Sequence, residues 1–528
     1  MAAMTQIQIY DTTLRDGAQQ EGLNLSIAEK LDIAKLLDEL GVGFIEGGWP
    51  GANPKDTGFF AEASRMQFKH AVLAAFGSTR KASSRTAGDD AQVRALLDAN
   101  APMVTLVAKS HVRHVDLALR TDLAQNLAMI RDTVSFLVAE GRRVVLDAEH
   151  FFDGYRLDRD YALEAVRTAA EAGAEVITLC DTNGGMLPHT VFDIVSDTIA
   201  ATGAPIGIHC HNDTGCAVAN SIMAVNAGAV QVQGTVNGYG ERTGNANLLT
   251  IIANLELKKG LQVLPEGHLA DLTRIGHAIA EITNVPASAR QPYIGSSAFA
   301  HKAGLHASAI KVDADLYQHT EPALVGNEMR MLVSDMAGRA SVELKGRELG
   351  FDLDDKDLIG RVVERVKGME QKGYTFDAAD ASFDLLLRHE IDGEPLTYFE
   401  VEAWRVISDS AGGTSDAEAT VKVRAAGQRF VAVGEGNGPV NALDHALRQA
   451  LTGVYPELTH IDLTDFRVRI LESSHGTDAI TRVLIQHSNT STSWTTVGVG
   501  GDIVNASWIA LTEGITYGLL RAGVSPRV

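Results

Sequence analysis

Two histidines set one residue apart carry the densest chemistry in this chain: His209 and His211, in Ile206-Gly-Ile-His209-Cys-His211-Asn-Asp213. The run reads as a short buried strand. Residues i and i+2 of a strand face the same side, so both imidazoles converge on one spot. Two neutral imidazoles on one spot suit a divalent cation; the plain alternative is a pair of satisfied core histidines. Far upstream, Ile9-Tyr-Asp-Thr-Thr-Leu-Arg15-Asp16-Gly17 ends another strand with a guanidinium beside a carboxylate.

Elements able to bring these stretches together follow from the pattern between them. Short apolar or β-branched runs at 6–13, 43–49, 71–76, 103–109, 143–152, 176–182, 206–211 and 230–239 alternate with amphipathic segments at 26–40, 89–99, 122–140, 158–172, 188–202 and 216–227. Several of those segments end at glycine (Gly41, Gly173, Gly228), as a left-handed cap requires. Near-continuous apolar strands separated by helices imply a parallel sheet. Eight such units in about 260 residues predict a (β/α)8 TIM barrel rather than an open doubly wound sheet. A barrel places its active groups at the C-terminal strand ends. The polar residues gather there: Arg15 and Asp16, Glu46, Asp147 with Glu149 and His150, Asp181 with Thr182, His209 with His211, and the stretch from Asn237 to Asn245.

Composition narrows the class. A chain of 528 residues is too long for one ordinary core and predicts two or three domains. With 46 basic and 67 acidic residues the net charge is -21, which argues against a nucleic-acid or anionic-membrane partner. Three cysteines (Cys180, Cys210, Cys216) form no disulfide framework, and no run approaches the ~20 apolar residues of a membrane span. The opening Met-Ala-Ala-Met-Thr-Gln carries no basic-then-apolar signal, so a cytoplasmic location is expected.

Three stretches together carry a family resemblance: Asp11-Thr-Thr-Leu-Arg15-Asp16-Gly17, His209-Cys-His211-Asn-Asp213 and Gly240-Glu-Arg-Thr-Gly-Asn245. In this order they resemble the signature motifs of the α-isopropylmalate, homocitrate and citramalate synthases, in the DRE-TIM metallolyase superfamily. The likeness runs along essentially the whole chain. The loop from Glu46 to Asp56 and the Asp-Gly-Ala-Gln-Gln-Glu-Gly opening lean toward the citramalate-forming branch. The resemblance implies a Claisen condensation of acetyl-CoA with a 2-oxo acid, pyruvate in that branch. It implies a divalent metal (Zn, Mn or Mg) held by Asp16, His209 and His211, with Asn245 completing the shell. Arg15 then stabilises the developing alkoxide, Thr182 binds the substrate carboxylate, and Glu149 meets the acetyl group or its enolate. Phe76 and Val107 are candidates to fill the space a branched oxo acid would need.

Past residue 259 the strand–helix rhythm stops. Pro292-Tyr-Ile-Gly-Ser-Ser-Ala-Phe-Ala-His301-Lys-Ala-Gly-Leu-His306, followed by Tyr317, resembles the family's small subdomain, which implies His306 as the catalytic histidine and Tyr317 as its companion. Ser308 stands where the isopropylmalate enzymes carry an aspartate, which leaves open what orients His306. His301 is read as structural or exposed. The expected divisions are a barrel over 1–268, helical subdomains over 269–395 and a regulatory α+β domain over 396–528. That last part repeats: Val440-Asn-Ala and Val504-Asn-Ala lie 64 residues apart (504 − 440), each after a glycine-rich turn and before a helix. Such turns suit an anion by their free N–H groups, although turns need glycine anyway. Gly436, Gly438, Gly500 and Gly501, with Glu435 and Asp502 nearby, are the candidate effector residues. The resemblance implies amino-acid feedback, with isoleucine as the inhibitor of a citramalate-forming enzyme, and a homodimer. The rivals are another 2-oxo acid, a hydroxymethylglutaryl-CoA-lyase-like lyase on the same barrel, and a non-catalytic amino-acid sensor.

Overall fold

The alternation of strands and helices closes into a barrel of eight parallel strands in chain order: β1 (Gln8–Asp11), β2 (Phe44–Glu46), β3 (Val72–Ser78), β4 (Met103–Lys109), β5 (Arg143–Glu149), β6 (Val176–Asp181), β7 (Ile206–Cys210) and β8 (Gln231–Gly234). This is seen in a computed structural model that describes residues 7–334, 336, 338–411, 414–471 and 479–526. The chain divides into two compact units, Met1–Phe299 with Thr320–Glu328, and Ala300–His319 with Met329–Val528. No helix among the described residues is long and apolar enough to cross a membrane.

Period two sorts each barrel strand into two faces. Outward residues such as Ile9, Ile45, Val104, Leu106, Leu146, Ile177, Ile208 and Val232 pack under the helices. Inward residues start apolar: Tyr10, Phe44, Ala74, Met103, Val145 and Val176 plug the barrel floor. Two residues further along the same inward faces stand Glu46, Thr105, Asp147 and Thr178, all buried. The interior therefore turns polar toward the C-terminal strand ends.

The helices begin where their caps say. Ser26 and Glu29 form a reciprocal capping box at Ile27–Leu40, and Asp122 and Asp158 cap Leu123–Ala139 and Arg159–Glu171 by accepting backbone N–H bonds. Strand eight is shorter than its apolar pattern predicts. After Gly234 the chain turns back: Thr235 N–H donates to the Ala246 carbonyl (3.1 Å) and Ala246 N–H to the Cys210 carbonyl (2.8 Å). The return brings Asn245 into a bridge with His211.

In the second unit, helices Arg339–Glu348, Lys356–Gln371 and Asp380–Asp392 share a small core around Val342, Val362, Val366, Phe383 and Leu387. The repeat follows. Each half is a three-stranded antiparallel sheet and a helix: Glu400–Ala411, Thr414–Ala425, Gln428–Gly436 and Pro439–Leu451, then Asp462–Ile470, Thr481–Ser488, Ser493–Gly500 and Ile503–Arg521. The glycines explain how helix and sheet meet. A Cβ on Gly434 would lie 2.4 Å from Ala446 N and 2.6 Å from Ala442 O; on Gly498 it would lie 1.9 Å from Ala506 O and 2.8 Å from Ala510 N. Each partner is offset by the same 64 residues. The outer sheet faces leave Ile407, Val431, Val433, Phe466, Val468 and Ile470 exposed.

His487 lies fully buried in the second half, stacked 6.2 Å from Trp494, with neither ring nitrogen hydrogen-bonded. Burial, helped by Arg448, pulls its pKa down to about 3. Its native pKa is thus below the unfolded value of ~6.5, so the stability it permits is present above pH 6.5 and is lost as pH falls toward 3. Glu513, pushed up to about 7 by burial, works in the opposite sense, stabilising as pH drops from 7 toward 4.5. The two offset each other in the wild type. A His487→Leu variant should therefore lose less stability than wild type between pH 6.5 and 4.5, by on the order of 1–3 kcal/mol. Denaturant melts across that range read the difference, and parallel pH dependences would refute it.

Candidate metal centre at the barrel mouth

Asp16 follows β1 and meets His209 near the end of β7 and His211 just past it. Its Oδ2 lies 3.4 Å from His209 Nε2 and 3.9 Å from His211 Nε2. Among the described residues these three are the acid and imidazole groups close enough to share one cation, their ligand atoms all within 4.8 Å of one another. All three are buried. Burial by itself would raise the Asp16 pKa, but Arg15, His209, His211 and the Asn245 amide outweigh it and hold the carboxyl well below its usual range. Burial and the neighbouring His209 pull His211 down to about 4, so its imidazole is neutral at pH 7.

Asn245 completes the set in a telling way. Its Nδ2 donates to Asp16 Oδ1 (3.0 Å) and to the Tyr239 carbonyl (3.0 Å). The reverse amide orientation would set its oxygen against two acceptors, so the assignment is forced. That leaves Oδ1 buried with no donor. The charge balance points the same way. Asp16, Glu46 and Asp147 are three buried carboxyl groups, and Arg15 is the cation they share: its Nε donates to Glu46 Oε1 (2.6 Å) and its Nη1 to Asp16 Oδ2 (3.0 Å). Burial works against the Arg15 charge, but Glu46, Asp16 and Asp147 more than offset it and raise its pKa. Asp147 is pushed up to about 7, first by burial and then by Glu46. Two imidazoles, a carboxylate, an orphaned carbonyl-type oxygen and a surplus of buried negative charge fit a divalent cation.

Other groups fix Arg15. Its guanidinium lies 3.8 Å over the Phe76 ring, which in turn meets Trp49 edge-on at 5.3 Å. Glu46 also accepts from the Tyr10 hydroxyl (2.9 Å), which is in contact with Thr105 Oγ1 (2.5 Å). Thr182, just past β6, accepts the His150 N–H at its hydroxyl (2.9 Å). Glu149 at the end of β5 is ion-paired with Lys109 at the end of β4, a partner that sequence reasoning missed although both residues end adjacent strands. Tyr10 and Gln233 were missed as well.

The remaining candidates lie in the second unit. His306, on Gly304–Ile310, stacks on Tyr317 with ring centroids 4.2 Å apart, and His301 lies 6.3 Å away. Ser308 gives its hydroxyl to the Gly304 carbonyl (2.9 Å), so the group packed on His306 is the Tyr317 ring. His301 is half-buried. Of the glycines, Gly436 is hemmed in, its Cβ position 2.4 Å from Asn441 Oδ1, and Gly500 is close to Asn505 Nδ2 at 3.0 Å, while Gly438 and Gly501 border open space.

This geometry sets an expectation for the metal. Wild-type protein should bind one equivalent of Mn2+ by calorimetry. Asp16→Ala should lose at least 100-fold in affinity through removal of a ligand, and His301→Ala should bind as wild type. Full metal affinity in Asp16→Ala would rule this centre out.

Comparison with known proteins agrees with the geometry. Residues 6–279, just over half of the chain, match the HMGL-like family, residues 293–374 the homocitrate synthase post-HMGL domain-like family, and residues 377–519 the LeuA allosteric (dimerisation) domain. The chain is 64% identical over 521 residues to an (R)-citramalate synthase of Streptomyces coelicolor, covering 98% of this chain and 97% of that one. It is 47% identical to an (R)-citramalate synthase of Aquifex aeolicus, covering 98% of both chains. A third, from Sulfolobus acidocaldarius, is 45% identical over 97% of this chain and 96% of its own. A strand-seven His-x-His facing a strand-one aspartate, in a chain this similar to its relatives from end to end, places the protein in the HMGL-like family and, within it, among the (R)-citramalate synthases.

Proposed function

We propose that this chain condenses acetyl-CoA with pyruvate and water to give (R)-citramalate and free CoA. The observation that carries the reading is the convergence of Asp16, His209, His211 and Arg15 in a chain 64% identical to an (R)-citramalate synthase. In balance, the acetyl methyl gives up a proton, its carbon bonds the ketone carbon of pyruvate, the ketone oxygen ends as a hydroxyl, and water cleaves the thioester to release the thiol. A divalent cation held by Asp16, His209, His211 and Asn245 supplies Lewis acidity to the ketone. Arg15, fixed by Glu46 and Asp16 and seated on Phe76, is preorganised against negative charge growing on that oxygen. Thr182 uses its oxygen to accept the His150 N–H, so its own proton is free for a substrate carboxylate. Glu149 with Lys109 offers the acetyl group a polar pair of no net charge, which spares an enolate the repulsion of a bare carboxylate. His306, stacked on Tyr317, is assigned the methyl proton.

Citramalate leads toward 2-oxobutyrate and isoleucine, so isoleucine is the fitting feedback signal, acting through the repeat domain of a homodimer. The exposed apolar faces of both repeat sheets support self-association. Gly434, Gly436 and Gly498 each have a packing reason to be glycine. Gly438 and Gly501 are the informative ones, because a side chain at either meets nothing within 4 Å.

Initial rates with thiol release as readout test both parts. Pyruvate should be the preferred oxo acid by kcat/KM. 2-Oxobutyrate should follow, since one methylene is worth only ~1–3 kcal/mol in such a pocket. A higher kcat/KM for 2-oxoisovalerate would make the chain an isopropylmalate-type enzyme instead. Isoleucine should inhibit more than leucine, and Gly501→Trp should weaken inhibition about 5-fold or more while leaving the uninhibited rate unchanged, within the usual range of coupling energies. Rates indifferent to isoleucine would leave the repeat domain as a dimerising module.

A further inference from the structure

The two imidazoles of the metal centre are not supported alike. His211 Nδ1 is buried with no hydrogen-bond partner, whereas His209 Nδ1 lies 2.9 Å from Gln233 Oε1. Gln233, on β8 in register with His209, is fully buried, and each of its polar atoms is committed. Its Nε2 donates to Asp147 Oδ1 (2.9 Å) and to Thr178 Oγ1 (3.2 Å). Thr178 cannot return that proton, because its own hydroxyl hydrogen goes to Gln231 Oε1 (3.3 Å), and Gln231 in turn donates to Gln8 Oε1 (2.9 Å). With Asp147 Oδ1, Thr178 Oγ1 and also Gln231 Oε1 (3.5 Å) gathered before Nε2, the amide oxygen is the atom turned to His209. The oxygen left for His209 is an acceptor, so the ring proton must sit on Nδ1. Nε2, 3.4 Å from Asp16, is then the nitrogen turned toward the cation site.

We infer that Gln233 is a positioning residue that fixes the tautomer and aim of His209, and that Asp147 with Thr178 locks the amide in the orientation that does so. A metal-binding histidine usually gives its second N–H to a carboxylate or carbonyl. Here an amide is inserted between carboxylate and imidazole. It carries the orienting effect while keeping a second carboxyl group away from the cation. The unpartnered Nδ1 of His211 makes His209 the braced ligand of the two.

The inference rests on the metal reading of Asp16, His209 and His211, and the test separates the two. Full-length, metal-free protein labelled with 15N-histidine reports the ring nitrogens directly: His209 is expected to carry a proton on Nδ1, opposite the Gln233 oxygen. In Gln233→Leu the His209 signals should move to a mixture or to the other tautomer, and Mn2+ affinity by calorimetry should fall 10–100-fold with the thermal midpoint of the metal-free protein little changed. Gln233→Glu keeps an acceptor opposite Nδ1 and should restore the wild-type tautomer. A wild-type His209 with no proton on Nδ1 would overturn the inference, and needs no variant to fold. So would Gln233→Leu binding Mn2+ as tightly as wild type. A wild type that shows the Nδ1 tautomer but takes up no Mn2+ would instead sink the metal reading.

Discussion

Everything at the barrel mouth answers to one constraint, the burial of more negative charge than the protein itself neutralises. Glu46 and Asp147 lie on two barrel strands and Asp16 on the turn after a third, and Arg15 is the guanidinium among them. An uncompensated buried carboxylate costs several kcal/mol or protonates instead, and Asp147 shows the second response, its pKa pushed up to about 7. The rest of the site works to make the arrangement tolerable. Tyr10 and Gln233 donate to Glu46 and Asp147, Asn245 donates to Asp16, and Phe76 covers the guanidinium face. A dication would remove the remaining imbalance. The site is therefore costly to the fold and built for its ligand.

That cost is placed where the architecture can bear it. The apolar floor of Tyr10, Phe44, Ala74, Met103, Val145 and Val176 closes the barrel below, and the outward strand faces with their helices supply the bulk of the core. The same period-two pleat that hides Val145 in the floor lifts Asp147 and then Glu149 toward the mouth. A shift of one residue in β5 would exchange Asp147 for Leu146 and both bury a charge under the helices and empty the site. Register, more than any single contact, connects the core to the chemistry.

Much of this could be read in advance, and the boundary of what could is physical. His209, His211, Asp16 and Arg15 announce themselves because the strand period and the strand-end rule act on residue types that are rare inside proteins. Asn245 is legible as part of the same motif, though its bond to Asp16 depends on a chain reversal after Gly234 that an apolar run through Tyr239 conceals. Gln233 and Tyr10 were invisible for a different reason. They are interior polar residues whose significance lies in which atoms are already spoken for, and that is a property of pairings across 86 and 36 positions of sequence. Marking every second residue of each strand would have shown Thr105, Asp147, Thr178 and Gln233 rising along one face. In the repeat domain Gly434 and Gly498 are glycine because a helix backbone crosses there, a packing demand that the sequence alone does not distinguish from the need of a turn.

The repeat domain shows how two copies of one solution can diverge without losing it. Both halves keep the glycine–alanine crossing at the 64-residue offset, and both set an aromatic residue opposite the same inner position of the sheet, Phe430 beside Val423 and Trp494 beside His487. At that inner position the second half has traded a valine for a histidine. The facing helix compensates: Ala450 in the first half corresponds to Gly514 in the second, where a Cβ would lie 2.2 Å from the His487 ring. Volume is conserved by moving it from helix to strand, as close-packed cores demand. Polarity is not conserved, because no partner was supplied for either ring nitrogen. Shape complementarity alone holds that imidazole, and only in its neutral form. The second half thus carries a sensitivity to protonation that the first half cannot share, and the two halves of a nearly symmetric domain are made unequal by one exchange of a methyl group for a ring.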